Sequence, residues 1–319
     1  MIEIWSIVTS ILGVFLVMFI GAICRRCGWI TREADHAFAN LITNALLPAY
    51  FFSRILGGPD FESSDSAWQA PALGFCMTSL GFGVAFLVAK RFGPHLGLQS
   101  DSQQRAFGLC VGICNYGYLP LPLAESFYPD AVVPLILHNV GVELALWSVG
   151  VGIISGGKGN TWQQVCSSPP FVAVLIACAL KILLGPFQMP EMLTFVFNTL
   201  GTCAIPLGLL LSGAIMMDFL SDTFWMKSFA IPLCAVLIRQ LLLPSVMIAI
   251  GLLFSFGNPV NEVIVLQAAM PAAVFPIVLV RMYDRDTTVA IQVIVSTSLV
   301  GAVLIPAWIL VGELLFANL

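Results

Sequence analysis

Charge is scarce in this sequence. Asp, Glu, Lys and Arg make up 9% of its 319 residues, against roughly 25% in soluble globular domains. That shortfall excludes a water-soluble domain. Histidine is scarcer, with 3 in the chain, none paired at a metal-ligand spacing, and no Ser, His and Asp set stands out as catalytic. Neither an enzyme nor a bound metal or cofactor is expected. The 13 Lys and Arg are scattered over short polar breaks instead of forming a patch, which excludes nucleic acid as a partner. No basic residue precedes the first apolar run. The start, Met-Ile-Glu-Ile-Trp, therefore lacks the positive segment of a cleaved signal peptide, and the first span is expected to stay.

What is abundant is hydrocarbon: 59% of residues are hydrophobic and 23 are Phe. Apolar stretches of about 20 residues, enough to cross roughly 30 Å of lipid, recur near 5–24, 37–56, 70–89, 103–125, 131–154, 170–187, 192–217, 228–253, 262–281 and 288–311. The pattern predicts an all-α polytopic membrane protein with ten transmembrane helices, embedded in the lipid bilayer. If the loops alternate sides, one side receives Arg25, Arg26, Arg32, Lys90, Arg91, Arg105, Lys158, Lys227, Arg281 and Arg285. The other receives Arg54 together with acids such as Glu3, Asp60, Glu62, Asp65, Glu125, Asp130, Glu191, Glu262 and Glu313. Basic loops stay cytoplasmic, so both termini are expected outside an inner, cell membrane.

Two spans are interrupted in matching places. The fourth carries Cys114-Asn115-Tyr116-Gly117-Tyr118-Leu119-Pro120-Leu121-Pro122, and the ninth carries Met270-Pro271-Ala272-Ala273-Val274-Phe275-Pro276. Unpaired backbone in lipid costs several kcal/mol per group, so such breaks must line a protein cavity, as in transporters built from repeats. The halves also echo each other. Asn40 and Pro48 recur as Asn198 and Pro206, an offset of 158. Residues 127–130 and 282–285 correspond at an offset of 155. Five spans per half is odd, which predicts two repeats of opposite topology, 1–156 and 157–319.

Pro120 or Pro122, and Pro276, suit the first turn of a new helix. The second half-helices would then aim free N–H groups and a partial positive charge at the membrane centre, a setting for a carboxylate. Asn115 adds an amide and Gly117 permits close backbone approach; simple proline kinks without a ligand are the alternative.

The segment 114–123 resembles the Asn-Thr-Gly-Phe-Leu-Gly-Leu-Pro-Leu motif of the auxin efflux carrier family. That family includes plant auxin exporters and bacterial malonate-type organic-acid permeases, within the bile, arsenite and riboflavin transporter superfamily. The resemblance extends to Gly21–Trp29, Leu46-Leu47-Pro48, Ala204-Ile205-Pro206-Leu207, Arg239–Pro244 and Ala269–Ala273. Tyr116 and Pro120 depart from it, replacing a small Thr and Gly. The resemblance implies two inverted five-helix repeats whose helices 4 and 9 cross at their breaks. It also implies a dimerising scaffold of helices 1, 2, 6 and 7, and a transport unit of helices 3–5 and 8–10 moving by an elevator-like cycle.

Ionisable groups deep in spans are costly and usually functional. Arg239 is expected either to attract an organic anion or to neutralise Glu143, and Glu143 is alternatively a proton carrier. His138 is read as packing or lining the pore, and Lys181 is expected to snorkel. Asn40, Thr43, Asn44, Asn198, Thr202, Gln267, Gln292, Ser296 and Thr297 either bond helices together or coordinate Na+. Asn44, Glu143 and His138 are the coupling or gating candidates, with H+ or Na+ left open as the ion. The binding set is Asn115, Gly117, Tyr118, Pro120, Pro271, Pro276 and Arg239. Gly152 to Gly157 before Lys158 mimics a phosphate loop but lacks its Ser or Thr. Cys24 and Cys27 form an isolated pair, read as reduced packing residues. The expected function is transport of small organic anions, carboxylates such as malonate, malate or auxin-like acids. A Na+-coupled symporter of larger amphipathic acids and a non-transporting membrane sensor are the alternatives.

Overall fold

The computed structural model describes residues 4–57, 68–157, 168–184, 189–221, 229–254 and 256–316. Glu3, Asp60, Glu62, Asp65, Lys158, Gly159 and Lys227 lie outside them. The described chain is all helical. Its elements are α1 (Ile4–Arg26), α2 (Asp35–Leu41), α3 (Leu47–Gly57), α4 (Gln69–Leu96), α5 (Asp101–Gly112), α6 (Pro120–Phe127), α7 (Val132–Ala145) and α8 (Val151–Ser155). There follow α9 (Pro169–Leu184), α10 (Glu191–Ser221), α11 (Ala230–Val236), α12 (Leu243–Phe254), α13 (Asn258–Ala269), α14 (Pro276–Met282) and α15 (Thr287–Phe316). Wider π turns join α2 to α3 at Ile42–Leu46, α7 to α8 at Leu146–Gly150 and α11 to α12 at Leu237–Leu242, the kind of irregularity that marks functional helices.

Among the described residues six stretches are long and apolar enough to cross a membrane: Ile7–Arg26, Gln69–Leu96, Pro129–Ser155, Glu191–Leu220, Ala230–Phe254 and Thr287–Phe316. Helix α9 is shorter, and the two interrupted spans each consist of two short helices. Local chemistry sets the ends. Helix α4 stops where Gly97 turns left-handed at φ 88°, a conformation glycine adopts without penalty. Ser100 then opens α5 with a capping box, its Oγ accepting from Gln103 N at 3.2 Å while Gln103 Oε1 accepts from Ser100 N at 3.2 Å. The supposed phosphate loop is a helix end, with Gly156 and Gly157 both left-handed after α8.

Helices α1, α3, α9 and α10 pack largely on one another, while α4 packs on α5 and α7, and α15 on α5, α11 and α13. Tyr116 touches both large apolar clusters, one containing Cys114 and Met270 and the other Ile113 and Ala272. The breaks thus sit at the seam. Small residues allow the close crossings. A Cβ on Gly213 of α10 would strike the Met18 carbonyl of α1, and one on Gly141 of α7 would strike Pro71 O of α4 and come within 2.7 Å of Phe75 N. Lys181 does not snorkel. It is buried, 6% exposed, because its Nζ donates to Ile55 O at 2.8 Å.

One polar end of the bundle is stapled by a network. Asp101 accepts from Lys90 Nζ and Arg105 Nε, each at 2.5 Å; Arg105 also donates to Ile153 O, and Arg285 to Ile154 O at 2.9 Å. Gln103 Nε2 donates to Asp286 Oδ2 at 3.1 Å. The Arg105 and Lys90 partners hold the Asp101 carboxyl down at about 2.

Two outcomes follow for stability. Gly141→Leu overpacks the α4–α7 crossing at a cost of about 1–3 kcal/mol or more, so its melting temperature in detergent falls by several degrees. Gly83→Leu, where an added Cβ meets nothing within 4 Å, melts like wild type. A depressed folded pKa stabilises above the unfolded value, near 3.9, and that stabilisation is lost as pH falls through about 2. Asp101→Asn therefore gives up this stabilisation at neutral pH, lowering the melting temperature slightly because the site is exposed, and flattens the fall in melting temperature over the acid window.

Candidate functional site

The two breaks meet. Helix α5 ends at Gly112 and Ile113 turns extended, at φ −111° and ψ 132°. Helix α13 likewise gives way to extended Met270, at φ −74° and ψ 140°. Two extended strips running antiparallel satisfy one another, and Cys114 and Ala272 form a lone β-bridge. Asn115 N donates to Pro271 O at 2.7 Å and Ala273 N to Ile113 O at 3.2 Å. Proline suits position 271 because its carbonyl is used and its missing N–H is not needed.

Side chains take up two further backbone groups of the breaks, Ala272 N and Tyr116 O. Ala272 N donates to Thr297 Oγ1 of α15 at 3.2 Å, and that hydroxyl donates on to Val293 O at 2.8 Å. Gln267, fully buried, donates from Nε2 to Tyr116 O at 3.3 Å and to Asn139 Oδ1 at 3.4 Å, and accepts from Cys114 Sγ at 3.0 Å. Gln240 of the third π turn donates from Nε2 to Thr297 O at 3.2 Å, while its own carbonyl accepts from Trp308 Nε1 at 2.7 Å. Gln267 and Thr297 are thus tied to the breaks as helix-bonding groups. Asn139 and Gln240 are not flagged by the sequence, which singles out their charged or ionisable neighbours His138, Glu143 and Arg239 instead.

Arg239 precedes Gln240 and is 2% exposed, within electrostatic reach of Cys114. Its Nε and Nη2 are buried with no hydrogen-bond partner. It is not paired with Glu143 among the described residues. Glu143 is half-buried on α7 and accepts from Ser168 Oγ at 3.1 Å. The expected Arg239–Glu143 neutralisation is therefore absent.

Asn115 is 8% exposed, and its side-chain amide bonds none of the described residues, leaving it available at the crossing. Tyr116, Gly117 and Tyr118 are half-buried. A Cβ on Gly117 would meet nothing within 4 Å, so the space beside its backbone is open. The Tyr118 ring packs on Gly208 of α10, its Cγ 3.0 Å from where a Cβ would lie. The expected free N–H groups at Pro120 and Pro276 are also absent. Pro120 and Pro122 have none, Leu121 N donates to Gly117 O at 3.1 Å, Ile277 N to Val274 O at 3.2 Å and Val278 N to Phe275 O at 2.9 Å. Whatever attraction for an anion the crossing has rests on Arg239. Trp147 and Phe275 pack in a T-shaped pair with ring centres 6.4 Å apart beside the second break.

The remaining candidates lie apart. His138 is buried on α7 with Nδ1 unpartnered, and its carbonyl lies against Gly74. Asn44 is exposed in the first π turn. Two cavities, about 670 Å³ beside Arg25 and Arg32 and about 250 Å³ beside Tyr128 and Glu313, are lined by residues away from the crossing. Cys24 and Cys27 are free thiols.

The sequence comparisons agree with this architecture. A family model described as membrane transport protein matches residues 6–160 and 158–309. An uncharacterized transporter of Methanothermobacter thermautotrophicus is 24% identical over 305 residues, covering 94% of this chain and 96% of that protein. A second, from Methanocaldococcus jannaschii, is 19% identical over 309 residues, covering 93% and 96%.

Replacing Thr297 by Val leaves Ala272 N–H without an acceptor in a buried place, a penalty of about 1–3 kcal/mol. Thermal melting in detergent is expected to show that loss for Thr297→Val and near-wild-type stability for Thr297→Ser.

Proposed function

The chain belongs to the auxin efflux carrier family of membrane transport proteins, and from that premise we propose that it carries small organic anions by alternating access. The observation that carries the reading is Arg239, a buried guanidinium with two unpartnered nitrogens beside the meeting point of two broken helices. An uncompensated buried charge costs several kcal/mol, and an anionic substrate offers the missing partner. Arg239 takes a carboxylate through a forked pair of donors. Asn115 supplies an amide, and Gly117 and Tyr118 bound the open side, while Pro120, Pro271 and Pro276 shape the breaks. Mono- and dicarboxylates such as malonate, malate or auxin-like acids are the substrate class.

In this reading ten spans form two inverted five-helix repeats, 1–156 and 157–319. The scaffold comprises α1, α2–α3, α9 and α10, and the remaining helices move as the transport unit. The mutual packing of the first group and the staple of Lys90, Asp101, Arg105 and Arg285 in the second support that division. Asn198 and Thr202 of α10 are exposed beside Phe195, 71% exposed, and polar groups facing lipid favour cover by a second copy, hence a homodimer. The basic end of the bundle faces the cytoplasm and both termini the outside of a cell membrane. Glu143 is the candidate proton carrier; His138 and Asn44 remain candidates for gating.

Proteoliposomes given jumps of malonate, malate, succinate and indole-acetate, with and without Na+, test this by charge movement and by tracer flux. Arg239→Gln is expected to cut flux roughly ten- to a hundredfold, the size of a lost charged hydrogen bond, with Arg239→Lys intermediate and Asn115→Ala also impaired. Dependence on Na+ identifies the coupling ion. Flux equal to wild type in a folded Arg239→Gln protein overturns the assignment.

A further inference from the structure

A second polar site lies at the end of the bundle away from the Asp101 staple. Tyr128, Asn258, Asn261, Glu262, Glu313 and Phe316 line the cavity of about 250 Å³ there. Its polar groups come from three places: Tyr128 follows α6, Asn258, Asn261 and Glu262 belong to the first turns of α13, and Glu313 to the last turn of α15.

Two carboxylates face this one space, and no basic side chain pairs with either among the described residues. The remaining acids and bases nearby do not change that. Asp130 is exposed in the turn after Tyr128, and Arg54 is engaged by Glu125. Tyr128 OH donates to Glu313 Oε1 at 2.6 Å, which leaves the other Glu313 oxygen and both of Glu262 for a ligand. Independently, Asn261 is 3% exposed and lines the same cavity. Its Nδ2 is turned to Phe256 O at 2.7 Å, so Oδ1 points the other way, and it is buried without a donor. A buried acceptor without a donor, next to two unpaired carboxylates, lacks only a cation.

We propose that this cavity binds a hard divalent cation, with Ca²⁺ the best match. All its donors are oxygens, which suit hard ions and not the softer metals that prefer His or Cys. Two carboxylates balance a charge of two. The space equals roughly eight water volumes at about 30 Å³ each, room for an ion keeping several waters. Ca²⁺ accepts six to eight oxygens in irregular arrays mixing carboxylate, amide and water, whereas Mg²⁺ demands a near-ideal octahedron. With only two carboxylates the affinity falls in the weak range of about 0.1–1 mM. The ion would tie Tyr128, at the outer end of one broken span, to the start of the other and to the end of α15. It would thus hold the two crossing spans together at one end.

The test uses the full chain in detergent, freed of divalent ions, with Tb³⁺ as probe and Tyr128 as the light-absorbing neighbour. The expected result is saturable Tb³⁺ emission displaced by Ca²⁺ below about 1 mM and poorly by Mg²⁺ or Na+. Glu262→Gln and Glu313→Gln should each weaken displacement at least tenfold, Asn261→Ala severalfold, and Asp101→Asn not at all. A melting temperature raised by Ca²⁺ in wild type and not in Glu313→Gln is the second readout, and Asn261→Ser replaces Glu262→Gln should that variant fail to fold. Absence of Ca²⁺-displaceable emission, displacement unchanged in both Gln variants, or a response to pH alone, as two acids sharing a proton would give, each overturns the site.

Discussion

Two backbone hydrogen bonds, Asn115 N to Pro271 O and Ala273 N to Ile113 O, are the constraint around which this molecule is built. A helix that stops in hydrocarbon leaves amides and carbonyls that water cannot reach. Two interruptions laid antiparallel satisfy each other, whereas either one alone would be prohibitively costly. Each break therefore requires its partner, and the helices holding them must approach closely. Close glycine contacts pack the surrounding helices, Gly74 and Gly141 between α4 and α7 and Gly112 between α5 and α4.

Once the breaks are joined, their side chains and leftover backbone groups have fixed addresses. Thr297, Gln267, Asn139 and Gln240 bind up all but a few of the polar groups at the crossing. The exceptions are informative. The Arg239 nitrogens, Gln240 Oε1 and the Asn115 amide are left over, and of these the guanidinium and the amide are groups an anion would use. The helix N-termini at Pro120 and Pro276 contribute less than their position suggests, because proline removes donors and neighbouring carbonyls take those that remain.

The two ends of the bundle differ in chemistry. One end is closed by charge pairs on Asp101 and by carbonyl caps from Arg105 and Arg285, which bond α4, α5, α8 and the turn after α14 to one another. At the other, Arg54 and Tyr50 both bond Glu125, while Glu262 and Glu313 are left without cations. Tyr50 lies on α3 and Glu125 on α6, so this link crosses from one packing group to the other.

The sequence by itself determined the membrane class, the positions of the two breaks and the depth of Arg239, because hydrophobic length and proline placement are local properties. It also marked Asn115, Gln267 and Thr297 as polar groups where lipid would be expected. The tertiary structure alone decided which of them meet. Glu143 bonds Ser168 instead of Arg239, and Lys181 finds the Ile55 carbonyl instead of the interface. Asn139 and Gln240 became part of the crossing only through contacts more than a hundred and more than fifty residues away. The reason is physical: a buried polar group takes the nearest complementary partner in space, and spacing along the chain does not record that distance.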